Sequence, residues 1–467
     1  MMVTKMPGYF SKIFHKKTRK PPLLIYAAGS RKNVICSSYY PIGLAYIAAA
    51  LEKLGIEVDV LDLNIRPLNG HETEMELRKR LPDNGWVGIS GGINSYPFIR
   101  ELVRLIKNIS AVPIVLGGAM CKPNPGLLLK TTGADICCIG EGENTVTDLA
   151  QYFEGKMKID DVLGICFLRD GQVVLQPQRP FQKNLDDFDY PKFSLFDIDT
   201  YKGMPKTIQK EGMKSMTLIA GRGCPSSCRF CSPTFGRKIR MRSVNNVITE
   251  MEMLINAYTI NHFEFCDEQF LFSEVYVRDF CNEIISRNLN ITWYALGRVN
   301  VVSKFDEETL ALIKKSGCHW IGFGMESGSQ RILDLMKKGI STAQIETTVN
   351  NVRKAGISVT GTFILGFPGE NNESIRETID FCKKIVLPVP SFTFCCPLPG
   401  ADIYKNCIES GKIVYEKQFW ESLDAPLWEL VMNLTDFSDE ELIRLKASAE
   451  NEINEHAKSK GRVGWFG

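Results

Sequence analysis

The sequence predicts an α/β protein built from two successive strand–helix alternations, and three observations carry that expectation. From Leu23 to about Phe153, short apolar runs recur between amphipathic stretches. The same alternation begins again near Lys214 and repeats six times. Between the two lies Pro180–Lys210, rich in Pro, Asp and aromatic residues and without periodicity. Strands that are apolar throughout and separated by helices belong to parallel sheets covered on both faces.

In the first alternation, Leu23–Ala28, Glu57–Leu61, Trp86–Ser90, Pro113–Gly117 and Asp135–Ile139 read as buried strands. Ile42–Leu54, Tyr96–Ser110 and Glu143–Phe153 have helical spacing. Open sheets of this kind bind ligands beyond the carboxyl ends of their strands. The loops ending there are Gly29–Tyr40, Gly91–Ser95, Gly117–Pro125 and Gly140–Glu143. Ile159–Gln178 reads as one or two hairpins with a turn at Asp170-Gly171, and Pro180–Lys210 as a linker.

In the second alternation the strands are Met216–Gly221, His262–Cys266, Ile291–Leu296, Trp320–Gly324, Ser358–Leu365 and Ser391–Cys396. The helices between them are Val244–Ala257, Val275–Ser286, Glu307–Ser316, Ser329–Lys337, Ile345–Ala355 and Ser374–Ile385. Six units predict an open, partial parallel barrel, whose chemistry sits at the C-terminal ends of its strands. Beyond Pro397-Leu398-Pro399-Gly400 the pattern changes to helices at Ile403–Ser410 and Asp439–Ala457, the latter with Ser438 as cap and an acidic first turn. The expected divisions are a basic flexible tail over 1–20, a first domain over 21–155, a linker with hairpin over 156–210, the barrel over 211–405 and a helical region over 406–467.

Composition narrows the function classes. Charged residues make up 24% and the formal net charge is +2, which gives no electrostatic case for a nucleic-acid partner. No run approaches the ~20 consecutive apolar residues of a spanning helix, so stable membrane insertion is not expected. The basic start (Lys5, Lys12, Lys16, Lys17, Arg19, Lys20) has no long apolar core and does not read as a signal peptide. Fifteen cysteines without a secretion signal point to a reducing, cytoplasmic compartment.

Cys224, Cys228 and Cys231 lie in the run Gly-Arg-Gly-Cys-Pro-Ser-Ser-Cys-Arg-Phe-Cys, directly after the first barrel strand. Three thiolates at this spacing can hold three irons of a cubane and leave the fourth open to a small molecule. Structural zinc would need a fourth Cys or His, and none of His15, His71, His262, His319 and His456 lies near in sequence. Three unrelated buried thiols are the other alternative.

The cysteine loop, with Phe230 before its last cysteine, resembles the signature of radical S-adenosylmethionine (SAM) enzymes. Further matches follow in order at the ends of the barrel strands. Phe265–Phe270 resembles the segment that contacts the methionyl amine, which makes Asp267 and Glu268 candidates. Trp293–Asn300, with Arg298, resembles the third-strand segment, and Gly324–Ser329, with Glu326, the fourth. Gly361–Glu370, with Gly366 and Gly369, resembles the glycine motif beside the adenine. Upstream, Pro41–Tyr46, Val115-Leu116-Gly117-Gly118 and Gly140-Glu141-Gly142-Glu143 look like a flavodoxin- or Rossmann-like cobalamin-binding domain, with Gly117, Gly118, Gly140 and Gly142 as candidate contacts. No Asp-x-His-x-x-Gly run occurs, so no histidine is placed to ligate cobalt from below.

The resemblance implies a 4Fe-4S cluster on the three cysteines, SAM on its open iron, a 5′-deoxyadenosyl radical, and cobalamin as a second cofactor. It implies a small-molecule substrate, a reductant such as flavodoxin or ferredoxin, and a monomer or loose dimer. The leading expectation is methylation of an unactivated carbon. The alternatives are a radical cyclase or rearrangement enzyme without methyl transfer and, behind it, a non-catalytic iron–sulfur or redox-sensing protein. Methylthiolation would call for a second cysteine trio in the first domain, which Cys36, Cys121, Cys137 and Cys138 do not obviously supply. Cys137 and Cys138, with Cys266, Cys395 and Cys396, read first as packing residues.

Overall fold

A computed structural model of the chain describes residues 20–27, 39–65, 70–203, 212–387, 391–426 and 428–461. Residues 1–19 of the basic tail, most of the Gly29–Tyr40 loop with Cys36, and 204–210 of the linker with the adjoining 211 lie outside the described residues. The chain divides into two compact units, the first from 1–183, 187–198 and 411–426, the second from 184–186, 199–410 and 427–467.

Unit 1 is a seven-stranded sheet in the order β2-β1-β3-β4-β5-β6-β7. Strands β1 (Leu23–Tyr26), β2 (Asp59–Asp62), β3 (Val87–Ser90), β4 (Ile114–Gly117) and β5 (Ile136–Cys138) run parallel. Helices α1 (Ile42–Glu52), α2 (Gly70–Arg80), α3 (Tyr96–Ile109), α4 (Pro125–Thr132) and α5 (Glu143–Phe153) connect and follow them. The apolar strands are buried, as the unbroken runs predict: Leu23, Val87, Ile114 and Cys137 expose nothing. Hairpin strands β6 (Ile165–Arg169) and β7 (Gln172–Leu175) turn at Asp170 and Gly171, whose φ values of 51° and 79° suit a two-residue mirror-image turn. The hairpin joins the sheet antiparallel to β5, with Cys166 opposite Cys137.

Two helices escape the sequence reading. In α2 (GHETEMELRKR) only Thr73 and Leu77 are buried, so no apolar stripe marks it. The eight-residue α4 is too short for periodicity; what defines it is Pro125 at its start and an Asn124 side chain that caps Leu127 N. Over its described residues, the aperiodic linker carries more structure than its composition suggests. It forms short 3₁₀ turns at Leu185–Asp187 and Phe193–Leu195 and helix α6 (Ile198–Gly203), and buries Phe193, Phe196, Ile198 and Tyr201.

Unit 2 holds a six-stranded, wholly parallel sheet in the order β15-β14-β13-β12-β11-β8. Its strands are β8 (Ser215–Leu218), β11 (His262–Phe265), β12 (Thr292–Gly297), β13 (Cys318–Glu326), β14 (Ser358–Leu365) and β15 (Ser391–Phe394). A separate two-stranded ribbon, β9 (Gly221–Arg222) against β10 (Arg240–Met241), follows β8. The helices are α7 (Val244–Tyr258), α8 (Glu274–Ser286), the one-turn α9 (Val299–Val302), α10 (Glu307–Lys315), α11 (Gln330–Leu335), α12 (Thr342–Lys354) and α13 (Asn372–Lys384). Helices α14 (Asp402–Glu409), α15 (Glu416–Ser422) and α16 (Asp439–Ser459) complete the chain, with Ser438 capping α16 through Glu441 N. Of these, α15 was not anticipated, and it belongs to unit 1.

The two faces of the barrel sheet differ. Phe265, Phe270, Phe280 and Trp293 form a buried aromatic cluster, with Phe265 and Phe270 stacked at 4.1 Å between centroids. The alternate positions set Thr217, Glu264, Tyr294 and Trp320 side by side across four strands. Near the end of β8, Arg242 forms a buried ion pair with Glu250 and also donates to Ile219 O at 2.9 Å. Burial raises the Glu250 carboxyl and the Arg242 guanidinium draws it back down. Replacing Arg242 by Leu strands that carboxylate, and should cost unit 2 about 3–5 kcal/mol. A lower urea midpoint for the variant, with Glu250→Gln restoring part of it, is the expected outcome.

Candidate active site

The three cysteines sit in a loop whose ends are closed by the β9–β10 ribbon. Gly223 enters the loop at φ 100°, and a Cβ there would run into the Lys238 carbonyl. Inside, Cys224 N donates to Gly236 O at 3.1 Å and Cys231 N to Cys228 O at 3.2 Å. The middle of the loop is tied outward through Arg229, whose N donates to Met336 O and whose O accepts from Ile403 N, both at 3.0 Å. Cys228 is buried, Cys224 half-buried and Cys231 exposed.

Desolvation in the loop pushes the Cys231 thiol up to about 11, the Cys228 and Cys224 sulfurs add to it, and Lys338 opposes them. An ionised Cys231 beside two further sulfurs therefore calls for a cation among them, which the irons of a cluster supply. Among the described residues, no three Cys, His, Asp or Glu side chains close on a single metal ion. A cubane binds its cysteines at separate corners and does not ask them to converge on one point. His262 is buried in β11 with Nδ1 2.7 Å from Thr292 Oγ1. The donor set fits a cluster.

The polar candidates are built around this loop. Asp267 Oδ2 accepts from Ala220 N at 3.1 Å, and its Oδ1 is buried without a hydrogen-bond partner. Burial pushes its carboxyl up to about 7, against the pull of the Ala220 and Gly221 N–H groups. Glu268 Oε1 accepts from Thr234 N, inside the cysteine loop, at 3.0 Å, and its Oε2 is likewise buried without a partner. Both carboxylates thus brace the loop with one oxygen and leave the other available to a ligand donor. Arg298 points Nη1 at Cys228 Sγ, 3.8 Å away, and Nη2 at Lys338 O, 2.7 Å away. Glu326, at φ 64°, pairs with Lys338 Nζ at 2.6 Å.

Lys338 escapes the sequence reading. It is buried, and its ammonium lies 5.9 Å from the centre of the Phe230 ring. A Cβ at Gly324 would fall 2.5 Å from Glu326 Oε1 and 3.0 Å from Lys338 Nζ, so the glycine makes room for the pair. Nothing in Met336-Lys337-Lys338-Gly339 marks the second lysine as buried and the first as exposed. In the sequence Glu370 stands out only as the end of the Gly361–Glu370 motif. It accepts from Gly366 N at 2.5 Å, and burial pushes its carboxyl up to about 7. Gly369 O accepts from Arg331 Nη1 at 2.9 Å, so the Gly366–Gly369 turn is held from both ends.

In unit 1 the candidate glycines all lie at carboxyl ends of parallel strands. Gly117 closes β4, and a Cβ there would meet nothing nearer than Ile89 O at 4.0 Å. Gly118 adopts φ 93° and ψ −178°, a glycine region, and a Cβ would fall 2.6 Å from Gly91 O. Gly140 follows β5 with only Phe181 at ordinary contact distance, and Gly142 packs against Ile47 at the start of α5. Gly118 and Gly142 are thus required by packing, while Gly117 and Gly140 leave open space. A floor without Cβ atoms fits the approach of a broad, flat ring system.

Known proteins carry the same two parts. The radical SAM superfamily matches residues 218–382 and the B12 binding domain residues 33–150. An uncharacterized methyltransferase of Pyrococcus horikoshii is 30% identical over 90% of this chain and 88% of its own length. The cytidylyl-2-hydroxyethylphosphonate methyltransferase of Streptomyces wedmorensis is 27% identical over 89% of this chain and 86% of its own. The anaerobic magnesium-protoporphyrin IX monomethyl ester cyclase of Rubrivivax gelatinosus is 27% identical over 80% of this chain and 67% of its own. Among solved structures, the radical SAM methyltransferase TsrM of Kitasatospora setae, with cobalamin and a [4Fe-4S] cluster bound, superposes with a TM-score of 0.66 at 21% identity, over 83% of this chain and 75% of that one. A near-full-length relative at 30% identity, with both families matched in the same order, establishes that the chain belongs to the radical SAM superfamily, among the members that carry a B12-binding domain ahead of the radical SAM domain.

Proposed function

We propose that the protein is a cobalamin-dependent radical SAM methyltransferase that methylates an unactivated carbon of a small-molecule substrate. The observation that carries this reading is the near-full-length similarity to a protein named a methyltransferase, on a chain with a three-cysteine loop at the carboxyl end of a parallel half barrel. When bound, the cluster and SAM supply one-electron cleavage chemistry and cobalamin a methyl carrier.

Cys224, Cys228 and Cys231 hold the cluster, and Arg298 donates toward Cys228 while fixing the Lys338 backbone. Asp267 and Glu268 offer their second oxygens to an ammonium, as charge-assisted acceptors. The Glu326–Lys338 pair presents both signs of charge to a zwitterionic amino acid end. Gly366 and Gly369, held in place by Glu370 and Arg331, give a flat base a close backbone surface. Gly117, Gly118, Gly140 and Gly142 carry the cobalamin. Flavodoxin or ferredoxin suits the need for an external one-electron donor. No described helix is long and apolar enough to cross a membrane.

A second reading, radical cyclisation without methyl transfer, is favoured by the similarity to the Rubrivivax cyclase. Label from the S-methyl group of SAM distinguishes the two: it enters the product in methyl transfer and stays out of it in cyclisation. A chain with Cys224, Cys228 and Cys231 all replaced by Ala should reconstitute with essentially no cluster iron and cleave no SAM. Retention of both would remove these three from the ligand assignment.

The buried Asp267 gives a pH dependence. Its folded value of about 7 lies above the ordinary 3.8, so the SAM-free protein loses stability as pH rises through the interval between them. An ammonium at Oδ1 favours the ionised form, so SAM affinity should increase from about pH 6 to 8, by at most about tenfold per unit. Equilibrium binding of SAM to the cluster-loaded protein measures this slope, and Asp267→Asn should flatten it.

A further inference from the structure

Unit 1 is not made from the N-terminal part of the chain alone. Gly411–Pro426 belongs to it, although residues 199–410 lie in unit 2. The segment is anchored by buried Ile413, Phe419, Trp420 and Leu423. Its helix α15 has seven residues, about 10 Å of length, and touches two loops that leave the carboxyl end of the sheet. At one end Glu416 Oε2 accepts from Asn124 Nδ2 at 3.0 Å, and Asn124 caps α4 at the close of the Gly117–Pro125 loop. At the other, Trp420 packs edge-on against Tyr96, 5.6 Å between centroids, at the residue where the Gly91–Ser95 loop passes into α3. Glu421 pairs with Arg100 one turn further along α3.

Directly before α15, Val414 is 70% and Tyr415 66% exposed. They are large, mainly apolar side chains on a segment otherwise anchored by buried residues, two residues and one residue from the contact of Glu416 with Asn124. The same stretch of chain begins at Gly117, which closes β4 and has no neighbour nearer than Ile89 O at 4.0 Å from an added Cβ, so that strand end leaves room for a flat ring.

We propose that the Gly411–Pro426 segment is a wall of the cobalamin site. Val414 and Tyr415 lose water against the corrin edge, while Glu416, Trp420 and Glu421 are positioning residues that fix the loops after β3 and β4. The inference rests on the cobalamin reading above and extends it to residues far outside the matched B12 binding domain. The sequence has no Asp-x-His-x-x-Gly run to supply a strong bond to cobalt, so apolar surface brought against the ring would contribute directly to affinity.

The test is equilibrium dialysis of the full-length, cobalamin-free protein against hydroxocobalamin, beside its thermal unfolding midpoint. The Val414→Ala/Tyr415→Ala variant removes only exposed groups. It should keep the wild-type midpoint and bind about tenfold more weakly. Trp420→Ala should weaken binding as well, and Trp420→Phe should restore most of it. Wild-type affinity in the Val414→Ala/Tyr415→Ala variant overturns the wall. Failure of the wild-type chain itself to take up hydroxocobalamin overturns the cobalamin reading instead.

Discussion

Three thiols in one short loop are an electrostatic problem before they are a site. Each ionised sulfur disfavours the next, so the sulfurs cannot hold the loop together in the absence of cations. The backbone has to do it. Here the loop is closed by the β9–β10 ribbon, entered through a glycine that no other residue could replace without a clash, and tied at Arg229 to two later segments of the barrel. The carboxylates after β11 complete the bracing, since Asp267 holds the backbone before the loop and Glu268 the backbone within it. Asp267 and Glu268 take their positions from hydrogen bonds to this part of the chain, while Glu326 and Gly366 sit at the ends of β13 and β14 and are held by Lys338 and Glu370.

The same arrangement explains why so much charge is buried around the site. Arg242–Glu250, Lys338–Glu326, Asp267 and Glu370 are each withdrawn from water. Burying charges is costly, and pairing seldom repays the whole cost. Two of the carboxyls respond by rising to about 7, which keeps them partly protonated near neutrality. A ligand that carries an ammonium relieves that cost on arrival. Such groups therefore make an empty site less stable and an occupied one tighter, which is the behaviour expected where binding is selected over resting stability.

The barrel was legible because its strands are apolar runs at helix-length intervals, and the six observed strands overlap the six expected ones. Strand ends differ by up to three residues, most at the first barrel strand, expected to end at Gly221 and ending at Leu218, as hydrogen bonding and not hydrophobicity decides where a ladder stops. What could not be read has a common cause. Helix α2 is made by charged residues with little to bury, Lys338 is buried by neighbours far away in sequence, and α15 is remote in sequence from Tyr96, Arg100 and Asn124, the residues it contacts. None of these leaves a periodic trace in its own neighbourhood. The cysteine spacing is the opposite case, because cluster chemistry constrains residues that are adjacent in the chain.

That contrast bears on how the two cofactor sites are written in the sequence. A cluster is held by a few strong, directional bonds, so three residues suffice to announce it. A corrin without a protein ligand to cobalt is held by area, spread over glycine-lined strand ends and over whatever apolar surface can be brought against the remaining edge. Such a site has no compact motif. Its contributors need only shape and apolar character, and they can be recruited from any part of the chain that returns to the sheet. The return of Gly411–Pro426 to unit 1, with its buried anchors and its two exposed apolar side chains, is a contribution of that kind. It follows that the limits of the B12-binding part of this protein are set by the chain's path in space, and that a fragment ending before α15 would lack part of it.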